Sequence, residues 1–356
     1  MKLAIVIGTR PEIIKMAPIV RACEAREVPF VLVHTGQHYS RELDGVFFEE
    51  LDLPAPEANL SVGSGTQAYQ VGAIVLGLER VLADRKPDIV LVQGDTNSVV
   101  AAALGARACG VRVGHVEAGL RSYDRTMPEE LNRILADHIS DVLFAPTANA
   151  GTILRAEGIA AERVHVTGNT VVDEVLLQRA RADREDLLEE FGVTDRGYAL
   201  ATVHRAENTD SVERLGGIVA GLRDTAAMLG VPVLAALHPR TVLRLRDLGL
   251  EVTGGVRVLP PLGYLDFLGL ESHAALVLTD SGGLQEEACV LQVPCVTLRD
   301  NTERPESIEA GANMLAGATP ENIVECARIM FARARGWPNP FGDGHSGERI
   351  VELLTG

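Results

Sequence analysis

The stretch TDSGGLQEEA, Thr279–Ala288, combines residue types that can hold a phosphate with one that can hold a sugar diol. It follows the apolar run Leu276–Leu278 and opens a helical pattern. Ser281 is placed to cap that helix, Gly282 and Gly283 let backbone N–H groups approach an anion, and the helix dipole favours a diphosphate. Glu287 lies four residues beyond Gly283 on the same helical face, where it can accept hydrogen bonds from a ribose diol. A Ser-Gly-Gly cap without a ligand is the plain alternative, and the strand-turn-helix setting argues for the ligand. In DNTERPE, Asp300–Glu306, which follows the next strand, Arg304 is placed to neutralise phosphate charge. Near the N-terminus, GTRPEIIK (Gly8–Lys15) has Gly8 for a tight turn and Pro11 in a first helical turn, and Arg10 and Lys15 bracket that helix start as a second place for an anion. Its spacing is not that of a GxxxxGK[ST] loop.

Three acidic residues stand where strands end or helices begin: Asp95 in QGDTNS, Glu117 in GHVEAGLRS, and Glu129 in MPEELNR, with Arg133 one turn later. Carboxylates at strand ends suit general acid/base work when burial raises their pKa values. Each has a structural alternative: Asp95 as a cap, Glu117 paired with Arg121, and Glu129 as a first-turn residue paired with Arg133. His204 in TVHRAEN and His238 in ALHPR each end a strand, where an imidazole can donate to a phosphate or move a proton, or serve structure alone. No metal is expected, because Arg10, Arg304 and Lys15 already supply positive charge for a diphosphate.

Short β-branched runs that alternate with amphipathic stretches must position these residues, which is the pattern of parallel sheets built from βα units. Strands are expected at Leu3–Ile7, Phe30–His34, Asp88–Gln93, Val111–Val116, Val142–Ala145 and Val164–Val166, then at Ala199–Val203, Val233–Leu237, Val256–Leu259, Leu276–Thr279 and Cys295–Leu298. Helical patterns include Pro11–Arg26, Thr66–Lys86, Glu129–Ser140, Val171–Phe191, Ser211–Leu229 and Gly283–Leu291. At 356 residues the chain favours two domains over one core. The boundary is expected near Gly168, giving domains over 1–168 and 169–344, with a last helix over 345–356 packing back on the first. The expected class is α/β: two doubly wound, Rossmann-like domains facing a central cleft, with ligands beyond the carboxyl ends of the strands.

A net charge of −16 and the absence of a basic stripe argue against nucleic-acid binding. Apolar runs fall short of the about 20 residues that span a bilayer. No secretory leader is evident, so a cytoplasmic protein is expected. The five cysteines, Cys23, Cys109, Cys289, Cys295 and Cys326, are odd in number and form no CxxC pair; all are expected to be buried small hydrophobes.

Taken together, GTRPEIIKMAP, TGQH, QGDTNS, HVEAGLRS, PEELNR, GNTVVDE, TVHRAEN, DSGGLQEEA and LRDNTERPE resemble the non-hydrolysing UDP-N-acetylglucosamine 2-epimerases, in order from Gly8 to Glu306. The resemblance implies the GT-B architecture, a homodimer, and UDP as ligand. It also implies Phe267 near the base, Ser281, Gly282 and Gly283 at the diphosphate, Glu287 at the ribose and Arg304 near the phosphates. Arg10, Lys15 and His204 would close on the nucleotide-sugar, and Asp95, Glu117, Glu129 and Arg133 match the family's catalytic set. The implied reaction converts UDP-GlcNAc to UDP-ManNAc through UDP and 2-acetamidoglucal, without a redox cofactor, and supplies ManNAc for surface polysaccharide. Ser40 and Ala206 stand where many bacterial members carry Gln and Arg in a second substrate site, so activation by substrate is expected to be weak or absent. The rival readings are a hydrolysing relative, an enzyme for diacetamido uronic acid nucleotides, a glycosyltransferase of the same architecture, and a nucleotide-sugar sensor without turnover. GTRPE rather than GARPQ in the first loop speaks against the uronic acid reading. A sensor would leave the acidic trio and His204 without purpose.

Overall fold

The computed structural model describes residues 1–37 and 41–356, apart from the side chains of 41–44. It falls into two compact units, Met1–Leu176 with Phe341–Gly356, and Leu177–Pro340. The expected division was at 168 and 344.

In the first unit the strands are β1 (Leu3–Ile7), β2 (Phe30–His34), β3 (Ala58–Asn59), β4 (Ile89–Gln93), β5 (Arg112–Val116), β6 (Val142–Ala145) and β7 (Val164–Val166). They form one parallel sheet in the order β3-β2-β1-β4-β5-β6-β7. The connecting helices are α1 (Arg10–Ala25), α2 (Arg41–Glu50), α3 (Gln67–Arg85), α4 (Asn97–Ala108), α5 (Pro128–Ile139) and α6 (Ala148–Ala156), and α7 (Thr170–Ala182) begins in this unit and ends in the second. All five residues of β1 and of β4 are buried, as expected for strands covered on both faces.

The second unit repeats the plan. Its strands are β8 (Ala199–Thr202), β9 (Val233–Ala235), β10 (Val256–Val258), β11 (Leu276–Thr279), β12 (Cys295–Thr297) and β13 (Asn313–Leu315), parallel in the order β10-β9-β8-β11-β12-β13. Its helices are α8 (Leu187–Glu190), α9 (Ala206–Thr209), α10 (Val212–Leu229), α11 (Pro239–Asp247), α12 (Tyr264–Ser272), α13 (Gly282–Val290), α14 (Pro305–Glu309) and α15 (Pro320–Phe331). The chain then returns to the first unit, where α16 (Ser346–Thr355) lies against α1. Gly347 permits that contact: a Cβ there would stand 2.7 Å from the Pro18 carbonyl carbon.

In each sheet the strand order reverses once, between β1 and β4 and between β8 and β11. Such switch points open a crevice at the strands' carboxyl ends. Gly8 and Gly94 follow β1 and β4, and Val203 and Asp280 follow β8 and β11, so the phosphate-type and acidic motifs sit where the topology makes room for a ligand.

Three expectations need correction. Val171–Phe191 is two helices, not one: the polar run Asp183–Asp186 ends α7, and a short α8 follows. β3 and β13 were not expected, being two and three residues long and carrying too little periodicity to read. Cys109 is exposed rather than buried, because it caps the C-terminus of α4; the other four cysteines are buried. Among the described residues no helix is long and apolar enough to cross a membrane.

Candidate active site

In the first unit the β1–α1 turn, the β4–α4 turn and the end of β5 converge. Gly8 is required at the first, since a Cβ there would lie 2.0 Å from Ser98 Oγ and 2.4 Å from Thr35 Oγ1. The Gly8 N–H donates to Glu12, and the other Glu12 oxygen accepts from the Thr96 hydroxyl at 2.5 Å, so one carboxyl ties the two turns together. Lys15, in the second turn of α1 and buried, donates to Glu117 at 2.6 Å, and Gln93 donates to the same oxygen. Glu117 is buried just past β5 with φ +66°, a left-handed backbone that a non-glycine residue adopts at a cost of about 1 kcal/mol or more. Lys15 and Gln93 offset that cost. Arg121, the structural partner considered for Glu117, turns instead to Asp137 at 2.7 Å and Glu157 at 2.6 Å.

Asp95, in the turn opened by Gly94, is bound by Arg133, a side chain fully buried in α5. Arg133 also holds Glu130 at 2.6 Å, and Glu130 accepts from the Ser122 and Tyr123 N–H groups at 2.9 and 3.1 Å. Asn132 donates to the Asp95 carbonyl at 3.0 Å. Glu129 is half-buried in the first turn of α5. Arg10, half-buried, places its guanidinium 5.5 Å from the centre of the Phe47 ring.

Behind this cluster, His115 on β5 is wholly buried, with Nδ1 2.7 Å from Asp137 and Nε2 2.8 Å from the Gly94 carbonyl. A carbonyl only accepts, so Nε2 carries a proton and His115 braces the turn that bears Asp95. Burial opposes the charge of Asp137, but His115 and Arg121 outweigh it and hold the carboxyl below its usual range.

In the second unit Asp280, fully buried after β11, accepts from the His204 and Arg205 N–H groups and from Asn208 Nδ2 at 3.0 Å each, and lies 2.9 Å from His204 Nδ1. Burial again opposes the charge, and His204, Asn208 and the Arg205 N–H more than compensate, leaving Asp280 ionised. The next residue, Ser281, caps α13, its Oγ 3.5 Å from the Leu284 N–H. A Cβ on Gly282 would meet Arg304 Nη1 at 2.5 Å, whereas one on Gly283 would stand 3.9 Å from Ser281 Oγ. Arg304 is buried and engages Glu286 and Glu303, both at 3.2 Å. Arg299, wholly buried, joins Glu303 to Glu207 and so ties the loop after β12 to the His204 loop.

His238 caps α11 through Nδ1, which accepts from the Arg240 N–H at 3.2 Å, so its proton sits on Nε2. Phe267 is half-buried on α12 and Glu287 buried on α13. Ala206 opens α9 and is exposed; Ser40 lies outside the described residues.

The structure thus brings Lys15 to Glu117, Arg133 to Asp95, and Ser281, Gly282 and Arg304 together, with His204 on the adjoining Asp280. Sequence reasoning passed over Glu12, Gln93, His115, Glu130, Asp137 and Asp280. The available signal was position: a charged residue inside or just beyond a fully buried parallel strand needs a partner, as His115 and Asp280 do.

Two parallel sheets with flanking helices, each with polar groups at its switch point, make this a GT-B-type enzyme fold of two Rossmann-like domains. The family model described as UDP-N-acetylglucosamine 2-epimerase matches residues 21–355. A UDP-N-acetylglucosamine 2-epimerase of Methanocaldococcus jannaschii is 50% identical, over 100% of this chain and 99% of the relative. Its crystal structure in complex with UDP-GlcNAc and UDP has a TM-score of 0.95, covering 100% of this chain and 99% of that one. A UDP-2,3-diacetamido-2,3-dideoxy-D-glucuronate 2-epimerase of Pseudomonas aeruginosa is 41% identical, over 100% of this chain and 99% of the relative. The chain belongs to the UDP-N-acetylglucosamine 2-epimerase family, the non-hydrolysing isomerases.

One buried acid at this site titrates near neutrality. Burial lifts Glu12 from 4.5 to about 7, against the hydrogen bonds from Thr96 and Gly8 that favour its charge. A carboxyl whose pKa is raised by folding binds its proton more tightly in the folded state, so its contribution is present below the unfolded value and is lost as pH rises through the folded one. The stability of the wild type should therefore fall relative to Glu12→Gln between pH 4.5 and about 7, by about 3 kcal/mol. Urea unfolding of both proteins across that range checks it; parallel pH profiles would contradict it.

Proposed function

We propose that the chain interconverts UDP-GlcNAc and UDP-ManNAc by anti elimination and re-addition, supplying the ManNAc donor for surface polysaccharide. The C2–H of the sugar is not adjacent to a carbonyl, so its removal must be coupled to departure of UDP. In the forward step a carboxylate takes the C2 proton, the C–H electron pair becomes the C1–C2 double bond, and the C1–O bond breaks to release UDP and 2-acetamidoglucal. UDP then adds back to C1 while a second group protonates the opposite face of C2. Two faces need two proton-transfer groups. The observation that carries this reading is the placement of Asp95 and Glu117 at the ends of the adjacent strands β4 and β5, each against a buried cation. A cation at hydrogen-bond distance favours the ionised form and suits the group that takes the C2 proton, while the group that protonates the opposite face enters the step carrying a proton, and both return to their starting states by exchange with solvent. Glu129 shares the proton-transfer roles with them, and Arg133 orients Asp95.

The second unit would hold UDP. The α13 N-terminus with Ser281, Gly282 and Gly283 receives the diphosphate, Arg304 balances its charge, Glu287 accepts from the ribose, and Phe267 lies by the base. His204, fixed through Nδ1 by Asp280, directs Nε2 at the leaving phosphate, with His238 as a further donor. The M. jannaschii complex with UDP-GlcNAc and UDP supports this ligand class. We also propose a homodimer, formed on the face where α3, α4 and α5 pack side by side and expose Tyr69, Leu76, Leu104, Leu131 and Leu135. Light scattering at the mass of two chains, reduced to one by Leu135→Arg, tests it; a wild type already at one chain would reject it.

Asp95→Asn and Glu117→Gln should each lose at least about 100-fold in kcat, the range for loss of a general acid or base, while UDP affinity stays within a few fold. Unchanged turnover in both variants would reject their roles. NMR of the wild-type reaction should show UDP-ManNAc without free sugar. Release of free ManNAc, or turnover of the diacetamido uronic acid nucleotide alone, would replace this reading.

A further inference from the structure

Within the second unit lies a carboxyl that the reaction itself does not use. Glu271 on α12 is wholly buried, and among the described residues neither of its carboxyl oxygens meets an N–H or O–H donor. The side chain it faces is another acid, Glu287 on α13, itself only 7% exposed. Two carboxylates cannot hydrogen-bond, since each only accepts; a contact of this kind requires one proton between them. Burial, and then the charge of Glu287, raise Glu271 well above the usual carboxylate range, which puts that proton on Glu271 and makes it the donor. Phe267 lies one turn before Glu271 on α12, at the i,i+4 spacing that places two side chains on one helical face. One short helix therefore carries both the residue proposed for the base and the support of the residue proposed for the ribose.

We propose that Glu271 is a positioning residue for nucleotide binding: by donating its O–H to Glu287 it fixes the plane in which the Glu287 carboxylate meets the ribose hydroxyls. The proposal rests on the ribose role given to Glu287 above. An ionised carboxylate offers about four lone-pair positions, so one taken by Glu271 orients the group and leaves acceptor capacity for a diol. In a dry interior, loss of that donor costs Glu287 part of what stabilises its charge and leaves the carboxylate able to turn.

The test is calorimetric binding of UDP and 2′-deoxy-UDP to the full chain, in the wild type, in Glu271→Gln, which keeps a neutral donor, and in Glu271→Met, which keeps the volume alone. The wild type should prefer UDP by about tenfold or more, the value of a hydrogen bond to a charged group. Glu271→Gln should keep that preference to within about threefold, and Glu271→Met should bring the ratio to about one. A wild type that binds both nucleotides alike overturns the ribose role of Glu287, and this proposal with it. A wild type that discriminates beside a Met variant that discriminates equally overturns the proposal alone, as does a folded Gln variant that has lost the preference. Infrared spectroscopy supplies a readout that does not depend on the Met variant folding: the wild type should show a protonated-carboxyl C=O stretch that Glu271→Gln lacks. Identical spectra in that region would reject the shared proton.

Discussion

The ion pair between Lys15 and Glu117 is the contact around which the first unit is arranged. Both side chains are buried, and a charge out of water is tolerated only beside an opposite one that is also hydrogen-bonded. Lys15 reaches Glu117 only if α1 starts immediately after β1, which the Gly8 turn permits. Glu117 reaches back only through the left-handed backbone that follows β5. Gln93, the last residue of the strand between them, closes the group. A parallel sheet that brings β1, β4 and β5 side by side is thus the condition for the cluster, and Asp95, just past β4, meets Arg133 of α5.

In the proposed function the second unit meets a different demand, since an anion would bind to a chain whose net charge is −16. Two of its buried cations are committed in advance to acids: Arg304 to Glu286 and Glu303, Arg299 to Glu303 and Glu207. These pairs hold the loop after β12 in place without leaving a bare positive surface, and the backbone N–H groups at the start of α13 add a local field that costs no net charge. Asp280 is the anchor, because its buried carboxylate gathers the His204 loop against that helix start.

Much of this was legible in the sequence, for physical reasons that can be named. Strands such as Leu3–Ile7 and Leu276–Thr279 are continuous apolar runs bounded by turn residues, and their limits agree with the structure to the residue. Asp95, Glu117 and Ser281 were visible because each follows such a run at a strand end. What stayed hidden depends on partners far apart in the chain. That Arg121 would choose Asp137 and Glu157 over Glu117, that Glu12 would bridge two turns, and that Glu271 would lie against Glu287 are facts of packing, which no local spacing encodes. The edge strand Ala58–Asn59 was missed because two residues form no pattern, and Cys109 was misjudged because a helix C-terminus, not hydrophobicity, decides its exposure.

In the proposed reaction, carboxylates of the first unit move a proton at C2 of a UDP-linked sugar. Incubation with UDP-GlcNAc in D2O, followed by NMR, tests it most directly. Deuterium should appear at C2 of the UDP-ManNAc as it forms. Product that keeps its original C2 hydrogen in D2O would contradict it.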